Sequence, residues 1–431
     1  MQPLTRWGDS SVLSPFRDRA FRNLWLSSTF FFSGFWAQTV VLGWLAFELT
    51  SSEFAVAAFT AARFAPMLTG PIGGMLADRF DRPRVLRISV VIALAIGIVI
   101  AALASFGDVQ FWQVLVAGLL IGSMQSPLQP VRFTLIMDLV GPQRISSANG
   151  LNMAALFGSR IVAPALAGLV IAEAGADIAL WFSAVWYLPA IFFLLPLREL
   201  PRSTGAAAQH FVANLAEGFR FALSDRGIAT VLLASVAANL FAWPVVQGFM
   251  PVFAEEIYEV GAAGLGVLVA ANGVGAMVGA LAIASLGDFP RKGRLFLGAT
   301  ASFGILLAIF AGLDQFVFGV ALMFLVGIAG AGFGVLQSTL ILLLSPEEMR
   351  GRVTGVLMLS IGVLPFSLLV QGAAAAQFGV ATTTLAAGLL LVASIAALSA
   401  LAPELWRLGA EGPLAAEASS DASPSERERV R

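Results

Sequence analysis

The sequence contains no cysteine and a single histidine, His210, and it carries little charge. Without cysteine the chain forms no disulfide and offers no thiolate for catalysis or metal binding. One histidine excludes a metal site built from several histidines. Charged residues make up 12% of the chain, whereas a soluble domain has about 25%, and mean hydropathy is +0.87. The composition therefore predicts an integral membrane protein without a metal site.

Twelve apolar segments have about the length that a helix needs to cross a bilayer. We predict helices because backbone amides in lipid must be satisfied within their own segment, and the alternation typical of a barrel is absent. No cleavable signal peptide is expected, since the first twenty residues are polar. The predicted spans lie near 24–47, 54–77, 86–106, 111–137, 148–172, 178–197, 228–253, 262–286, 295–313, 315–342, 353–377 and 380–402.

Arginine and lysine occur only in alternate connections between these segments, and the remaining connections carry acids. By the positive-inside rule, the basic connections face the cytoplasm. We therefore expect a multi-pass protein of the inner membrane with both termini cytoplasmic. The acidic connections contain Glu48, Glu53, Asp108, Glu173, Asp177, Glu255, Glu256, Glu259 and Asp314.

Several features recur about 200 to 210 residues apart, among them Pro164 and Pro365, which favours parallel repeats of six spans. Between the repeats, helical spacing of apolar residues predicts an amphipathic helix on the cytoplasmic membrane face. The tail is rich in Ala, Glu and Ser, which predicts disorder. The expected organisation is an N-terminal bundle at 1–197, a central loop at 198–227, a C-terminal bundle at 228–402 and a disordered tail at 403–431.

A short basic turn, Gly-Gly-Met-Leu-Ala-Asp-Arg-Phe-Asp-Arg-Pro-Arg at 73–84, joins the second and third predicted spans. Its pattern resembles the corresponding loop of the major facilitator superfamily of secondary transporters. The resemblance implies twelve transmembrane helices in two pseudo-symmetric six-helix bundles, in which Asp78 braces the outward-facing state and Arg82 pairs with Asp138. A simpler interpretation is that the loop only marks topology. The implied conformational gate consists of Gly74, Asp78, Arg79, Arg82, Arg84 and Asp138.

Three arginines, Arg63, Arg132 and Arg160, lie inside apolar spans. A charge at a span centre costs about 2.5–3.5 kcal/mol on insertion scales, so each needs a reason. One interpretation is that they bind an anionic or carbonyl-rich substrate or take part in coupling. The other is that they bond helix carbonyls or neighbouring amides, with Arg132 reaching the inner face.

The same resemblance implies that the first, fourth, seventh and tenth spans line a central cavity. Trp36 and Trp243 lie at comparable depths in the two halves, which suits stacking on an aromatic or amphipathic ligand. Packing between helices is the alternative, since single amides and aromatics occur in many spans. The candidate lining residues are Trp36, Gln38, Gln125, Gln129, Trp243, Gln247 and Gln337.

The fifth span contains Pro164 and Gly168 in a small-residue stretch that resembles the antiporter motif of exporters in this superfamily. Ordinary close packing of helices is the alternative interpretation. The segments 21–25, 62–66, 130–132 and 217–221 together are similar to the branch that contains enterobactin exporters and secretion-type permeases. That branch often carries an aspartate next to Gly34, where this chain has Phe35, so the residue that would carry a proton is not identified.

No catalytic or nucleotide-binding signature is present: the glycine-rich run at 327–334 lacks the Gly-Lys-Ser/Thr that holds phosphate and instead favours close helix packing. We therefore expect no enzyme activity, cofactor or nucleic-acid partner. The predicted function is export of a small organic molecule, siderophore-like or drug-like, by proton antiport and alternating access. Import, lipid flipping or a non-transporting sensor on the same scaffold are the alternatives. We expect a monomer in the lipid bilayer.

Overall fold

A computed structural model describes residues 14–69, 81–141, 144–197, 211–286, 289 and 291–401. The described residues are almost entirely helical and contain no β-strand. The predicted disordered tail and, in the gate, Gly74, Asp78 and Arg79 lie outside the described residues. The helices of the first half are α1 Arg19–Thr50, α2 Glu53–Phe64, α3 Arg82–Ser105, α4 Phe111–Val140, α5 Ile145–Val185 and α6 Tyr187–Leu194.

The helix α7, Phe211–Ser224, follows the first half and falls within the predicted central loop. The second half then contains three consecutive pieces of the seventh span and further, mostly longer, helices. They are α8 Arg226–Phe241, α9 Trp243–Gly248, α10 Met250–Val252, α11 Gly261–Ser285, α12 Lys292–Phe310, α13 Phe316–Leu344, α14 Arg350–Ile361, α15 Leu364–Phe378 and α16 Val380–Leu401.

Nine helical segments in the described part of the chain are long and apolar enough to cross a membrane. One of them, 147–194, contains two predicted spans, because Gly175 has a φ of 88° that breaks α5. The apolar stretch Phe111–Gln125 begins a further span, and α2 begins the second, whose remainder lies beyond the described residues. These elements account for the twelve predicted crossings, and the predicted fold class is confirmed.

Polar caps set where several helices begin. The carboxylates of Asp18, Asp81 and Asp225 accept hydrogen bonds from backbone amides in the first turns of α1, α3 and α8, at 2.7, 3.0 and 2.8 Å. Ser52 accepts one at the start of α2. Such caps satisfy amides that have no partner inside the helix, and they lie where an apolar segment gives way to a polar connection.

The two ends of the bundles carry opposite charge, which defines two faces of the molecule. The basic face is the end at which odd-numbered spans begin, and the acidic face is the opposite end. Residues of the basic face are Arg19, Arg82, Arg144, Arg226, Lys292 and Arg350. Residues of the acidic face are Glu48, Glu53, Asp108, Glu255, Glu256 and Asp314.

The helix α7 docks on the basic half of the eleventh span. Glu217 forms an ion pair with Arg352, and a Cβ atom on Gly218 would lie 2.7 Å from the carbonyl oxygen of Arg352. Phe219 and Leu223 remain 51% and 60% exposed, which leaves an apolar side for lipid. This helix therefore joins the segment between the halves to α14.

The two halves are in close contact toward the acidic face. A Cβ on Gly372 of α15 would overlap that of Ala57 of α2, and one on Gly43 of α1 would lie 3.7 Å from Pro251 of α10. The helices α5 and α11 also pack against each other along a long contact. The protein is thus closed at its acidic face.

Candidate functional site

Arg63 is fixed inside the N-terminal half. Its Nη2 atom donates a 2.8 Å hydrogen bond to the carbonyl oxygen of Phe35, and its guanidinium lies 4.1 Å from the centroid of the Phe35 ring. The side chain is 1% exposed. These contacts bind α2 to α1, so the carbonyl-bonding interpretation describes Arg63 in this state.

Arg132 is also enclosed in the N-terminal half. Its guanidinium lies 4.6 Å and 5.0 Å from the ring centroids of Phe31 and Phe32. None of its three guanidinium nitrogens has a hydrogen-bond partner in the described part of the chain. The side chain therefore stacks on aromatic rings in the core and does not reach the basic face.

Arg160 of α5 lies at the contact between the halves. Its Nη2 atom donates to Asn272 Oδ1 of α11 at 3.4 Å. Its guanidinium carbon lies 4.9 Å from the ring centroid of Trp36 on α1 and 5.9 Å from that of Trp243 on α9. Of the three arginines, this one alone contacts side chains from both halves among the described residues.

A small cavity of about 40 Å³ adjoins Arg160 and is bounded by both halves. This volume holds about three water molecules, since one needs about 10–15 Å³. Apart from six polar or aromatic residues the described wall is apolar, and it includes no aspartate or glutamate. The polar and aromatic side chains in the wall are Trp36, Thr39, Thr60, Arg160, Gln247 and Asn272.

The predicted lining residues separate into two groups. Trp36 and Gln247 lie in the cavity wall, and Trp243 lies beside Arg160 with its ring edge-on to Phe303 at 5.5 Å. Gln38 and Gln337 instead pack inside their own halves in this state. Gln38 Oε1 accepts a 2.9 Å bond from Tyr187, and Gln337 Nε2 donates to Ser235 at 2.6 Å.

The remaining two candidates are on α4. Gln125 is half-buried, and the side chain of Gln129 falls outside the described part of the structure. Asn272, Thr39 and Thr60 also lie in the wall and were not predicted from the sequence. A lone amide in an apolar, glycine-rich span was the available signal for Asn272.

At the basic face, Arg82 and Asp138 form an ion pair that joins the start of α3 to the end of α4. Arg84 is exposed, and its backbone amide donates to the Asp81 carboxylate at 3.0 Å. The pair links the ends of two helices of the same half. The superfamily resemblance implies this pairing of the two residues.

The fifth-span motif lies at the contact between α5 and α11. A Cβ on Gly168 would come within 2.5 Å of the Ala262 carbonyl oxygen, and a Cβ on Gly266 within 3.0 Å of the Pro164 carbonyl oxygen. The backbones therefore touch at these positions. The small residues of the motif serve the contact between the halves in this state.

Two helical bundles with a cavity between them beside a buried arginine are typical of a membrane transporter of the major facilitator fold. The nucleoside transporter NupG superposes with a TM-score of 0.71 at 15% identity, over 88% of this chain and 98% of that chain. A bacterial homologue of the human lysosomal transporter Spinster gives 0.66 at 14%, over 90% and 96%. A POT family transporter in complex with 5-aminolevulinic acid gives 0.73 at 11%, over 90% and 97%. These similarities establish the fold.

Residues 10–412 match the family described as transmembrane secretion effector, and the chain belongs to this family. The Enterobactin exporter EntS of Shigella boydii serotype 18 is 27% identical over 287 residues, 66% of this chain and 67% of the relative. EntS of Escherichia coli O1:K1 / APEC is 26% identical over the same shares. The predicted family resemblance is confirmed, and the chain is a membrane transporter rather than an enzyme.

Proposed function

We propose that this protein is a secondary active exporter of a small organic molecule across the inner membrane. The observation that carries the proposal is the position of Arg160, a charged side chain in the bilayer interior that contacts both halves beside a shared cavity. Charges at this depth mark substrate or ion pathways. Relatives named as enterobactin exporters support export of a siderophore-like or drug-like amphipath.

The small volume of the cavity requires that the halves move to admit cargo. Pockets for drug-sized ligands measure about 300–1,000 Å³, far above the volume beside Arg160. Cargo therefore enters when the halves part at one face and leaves when they part at the other. The close contacts of Gly43 and Gly372 belong to the state closed at the acidic face. If the basic face is cytoplasmic, as its charge indicates, that state is closed to the outside.

Proton coupling is supported by an acid pair across the halves. Glu256 lies beyond the end of the predicted span at 253, and burial, followed by the charge of Glu53 on α2, raises its pKa. A raised pKa in the closed state means that a bound proton favours closure of the acidic face. A proton taken up from outside after cargo release would then drive the return of the transporter, which is the order that antiport needs.

Transport in inside-out membrane vesicles tests the proposal. With an acidic lumen, labelled enterobactin is expected to accumulate about tenfold more per unit of pH gradient than after nigericin treatment, since one unit is worth about 1.4 kcal/mol. Glu256→Gln is expected to lose most of the gradient dependence. Glu255→Gln, at the neighbouring acid, serves as the matched control, since both residues are exposed at the same face. Accumulation that ignores the gradient contradicts antiport, and movement of cargo out of these vesicles contradicts export.

The ion pair at the basic face offers a test of the proposed gate. Asp138→Asn and Arg82→Gln are each expected to lower the transport rate about 1.4- to fivefold, the range for a partly exposed pair worth about 0.2–1 kcal/mol. The swapped double variant Arg82→Asp, Asp138→Arg is expected to recover part of the loss. Unchanged rates in the single variants, measured at matched expression in the same vesicles, contradict a gating role.

A further inference from the structure

Among the described residues, Arg160 is the one charged residue in the cavity wall. Arg160 has no described carboxylate as a partner, and the other wall residues are neutral. A guanidinium stays charged at neutral pH, and an unpaired charge in a medium of low dielectric is costly. Arg63 and Arg132 are covered by phenylalanine rings of their own half, whereas Arg160 adjoins open space. An anion bound in the cavity would therefore be stabilised.

Two buried donors beside the cavity lack an acceptor among the described residues. Arg160 Nε and Trp36 Nε1 are both buried and have no acceptor in the described part of the chain. Neither group can accept a hydrogen bond itself. The hydrogen bond from Arg160 to Asn272 Oδ1 is long at 3.4 Å and therefore weak. The missing acceptors match a ligand oxyanion, which would bond a guanidinium more strongly than a neutral amide does.

Two indole rings flank the same guanidinium. Trp36 belongs to the N-terminal half and Trp243 to the C-terminal half, and both rings lie within 6 Å of the Arg160 guanidinium carbon, at 4.9 and 5.9 Å. Valine and leucine side chains, including Val40, Val246 and Leu265, form much of the remaining wall. Flat apolar surface beside a cation suits an aromatic ring whose anionic substituent points toward the cation.

Resting on the proposed function, we infer that the cargo carries a planar aromatic group with an anionic substituent. Its oxyanion bonds Arg160 and the Trp36 indole N–H, and its ring packs against the apolar wall beside Trp36. Arg160 then selects cargo by charge, so that neutral analogues bind weakly and organic cations are repelled. The bound oxyanion replaces Asn272 as the partner of Arg160, which loosens a polar link between the halves when cargo arrives.

A pair of probes that differ only in charge tests this inference. Binding of 2-naphthoate and 2-naphthamide to the purified full chain is measured by calorimetry at neutral pH. The wild type is expected to bind the anion about 10- to 100-fold more tightly, as charged hydrogen bonds require. Arg160→Gln is expected to bring the two affinities within about threefold of each other, and its binding of the amide shows that the site is intact.

Two further variants make the outcome decisive. Arg160→Lys keeps the charge and is expected to keep a preference for the anion, while Trp36→Phe keeps a ring, removes the donor and is expected to weaken the anion selectively. The inference is overturned if the wild type shows no preference for the anion over the amide. It is equally overturned if Arg160→Gln keeps the full preference or if Arg160→Lys loses it. Vesicles separate it from the proposed function: export unaffected by Arg160→Gln overturns only the inference, and selective binding without any transport overturns only the function.

Discussion

Gly168→Val is expected to disfavour closure of the acidic face and to slow transport strongly. A Cβ atom at this position would lie 2.5 Å from the Ala262 carbonyl oxygen and 2.9 Å from Gly266 Cα, both of which are backbone atoms that cannot rotate away. Overpacking of this kind costs about 1–3 kcal/mol. Because the cost falls only on the state in which α5 and α11 touch, it shifts the closed population about 5- to 150-fold toward the open state.

The absence of cysteine makes this shift measurable. Leu49 and Phe378 are exposed near the acidic face on opposite halves. Spin labels on Leu49→Cys and Phe378→Cys report the distance between the halves by double electron–electron resonance. Gly158→Val on the same helix is the matched control, because no described heavy atom lies within 4 Å of a Cβ there. A short label distance in Gly168→Val, equal to that of the control, would contradict the proposed closing contact.

Hydropathy and charge were enough to predict most of the fold, because a backbone in lipid can adopt few structures. Each span must satisfy its own amides, so an apolar run of sufficient length becomes a helix whatever packs beside it. The 48-residue helical segment at 147–194 shows that the boundary between two spans is less predictable than the spans themselves. Its two crossings are separated by the single backbone break at Gly175, whereas the sequence predicted a connection at 173–177.

The candidate site was harder to predict, because depth in a span does not determine which side of a helix faces a cavity. Arg63, Arg132 and Arg160 all looked alike as isolated charges, and their different surroundings depend on the rotation of α2, α4 and α5. Gln38 and Gln337 show the same problem: each found a hydroxyl partner within its own half. Asn272 was missed since its role depends on Arg160, 112 positions earlier in the chain.

Gly327→Ala is expected to destabilise the C-terminal half and to weaken the site beside Arg160 together. A Cβ at Gly327 of α13 would overlap the carbonyl oxygen of Asn272 and lie 2.7 Å from the amide nitrogen of Ala276, so that α11 must move away. We expect a loss of about 1–3 kcal/mol in the free energy of unfolding, as in other overpacked cores. The displacement also carries Asn272 away from Arg160, so binding of 2-naphthoate should change in the same variant.

Gly334→Ala provides the comparison, since this glycine belongs to the same run on α13 and no described heavy atom lies within 4 Å of its Cβ position. There alanine is expected to stabilise by up to about 1 kcal/mol through its higher helix propensity. Thermal unfolding in detergent distinguishes the two variants by the sign of the change in midpoint. Equal midpoints would mean that α11 and α13 are not in backbone contact at Gly327, and that the glycine-rich run serves helix flexibility instead of the close packing that holds Asn272 beside Arg160.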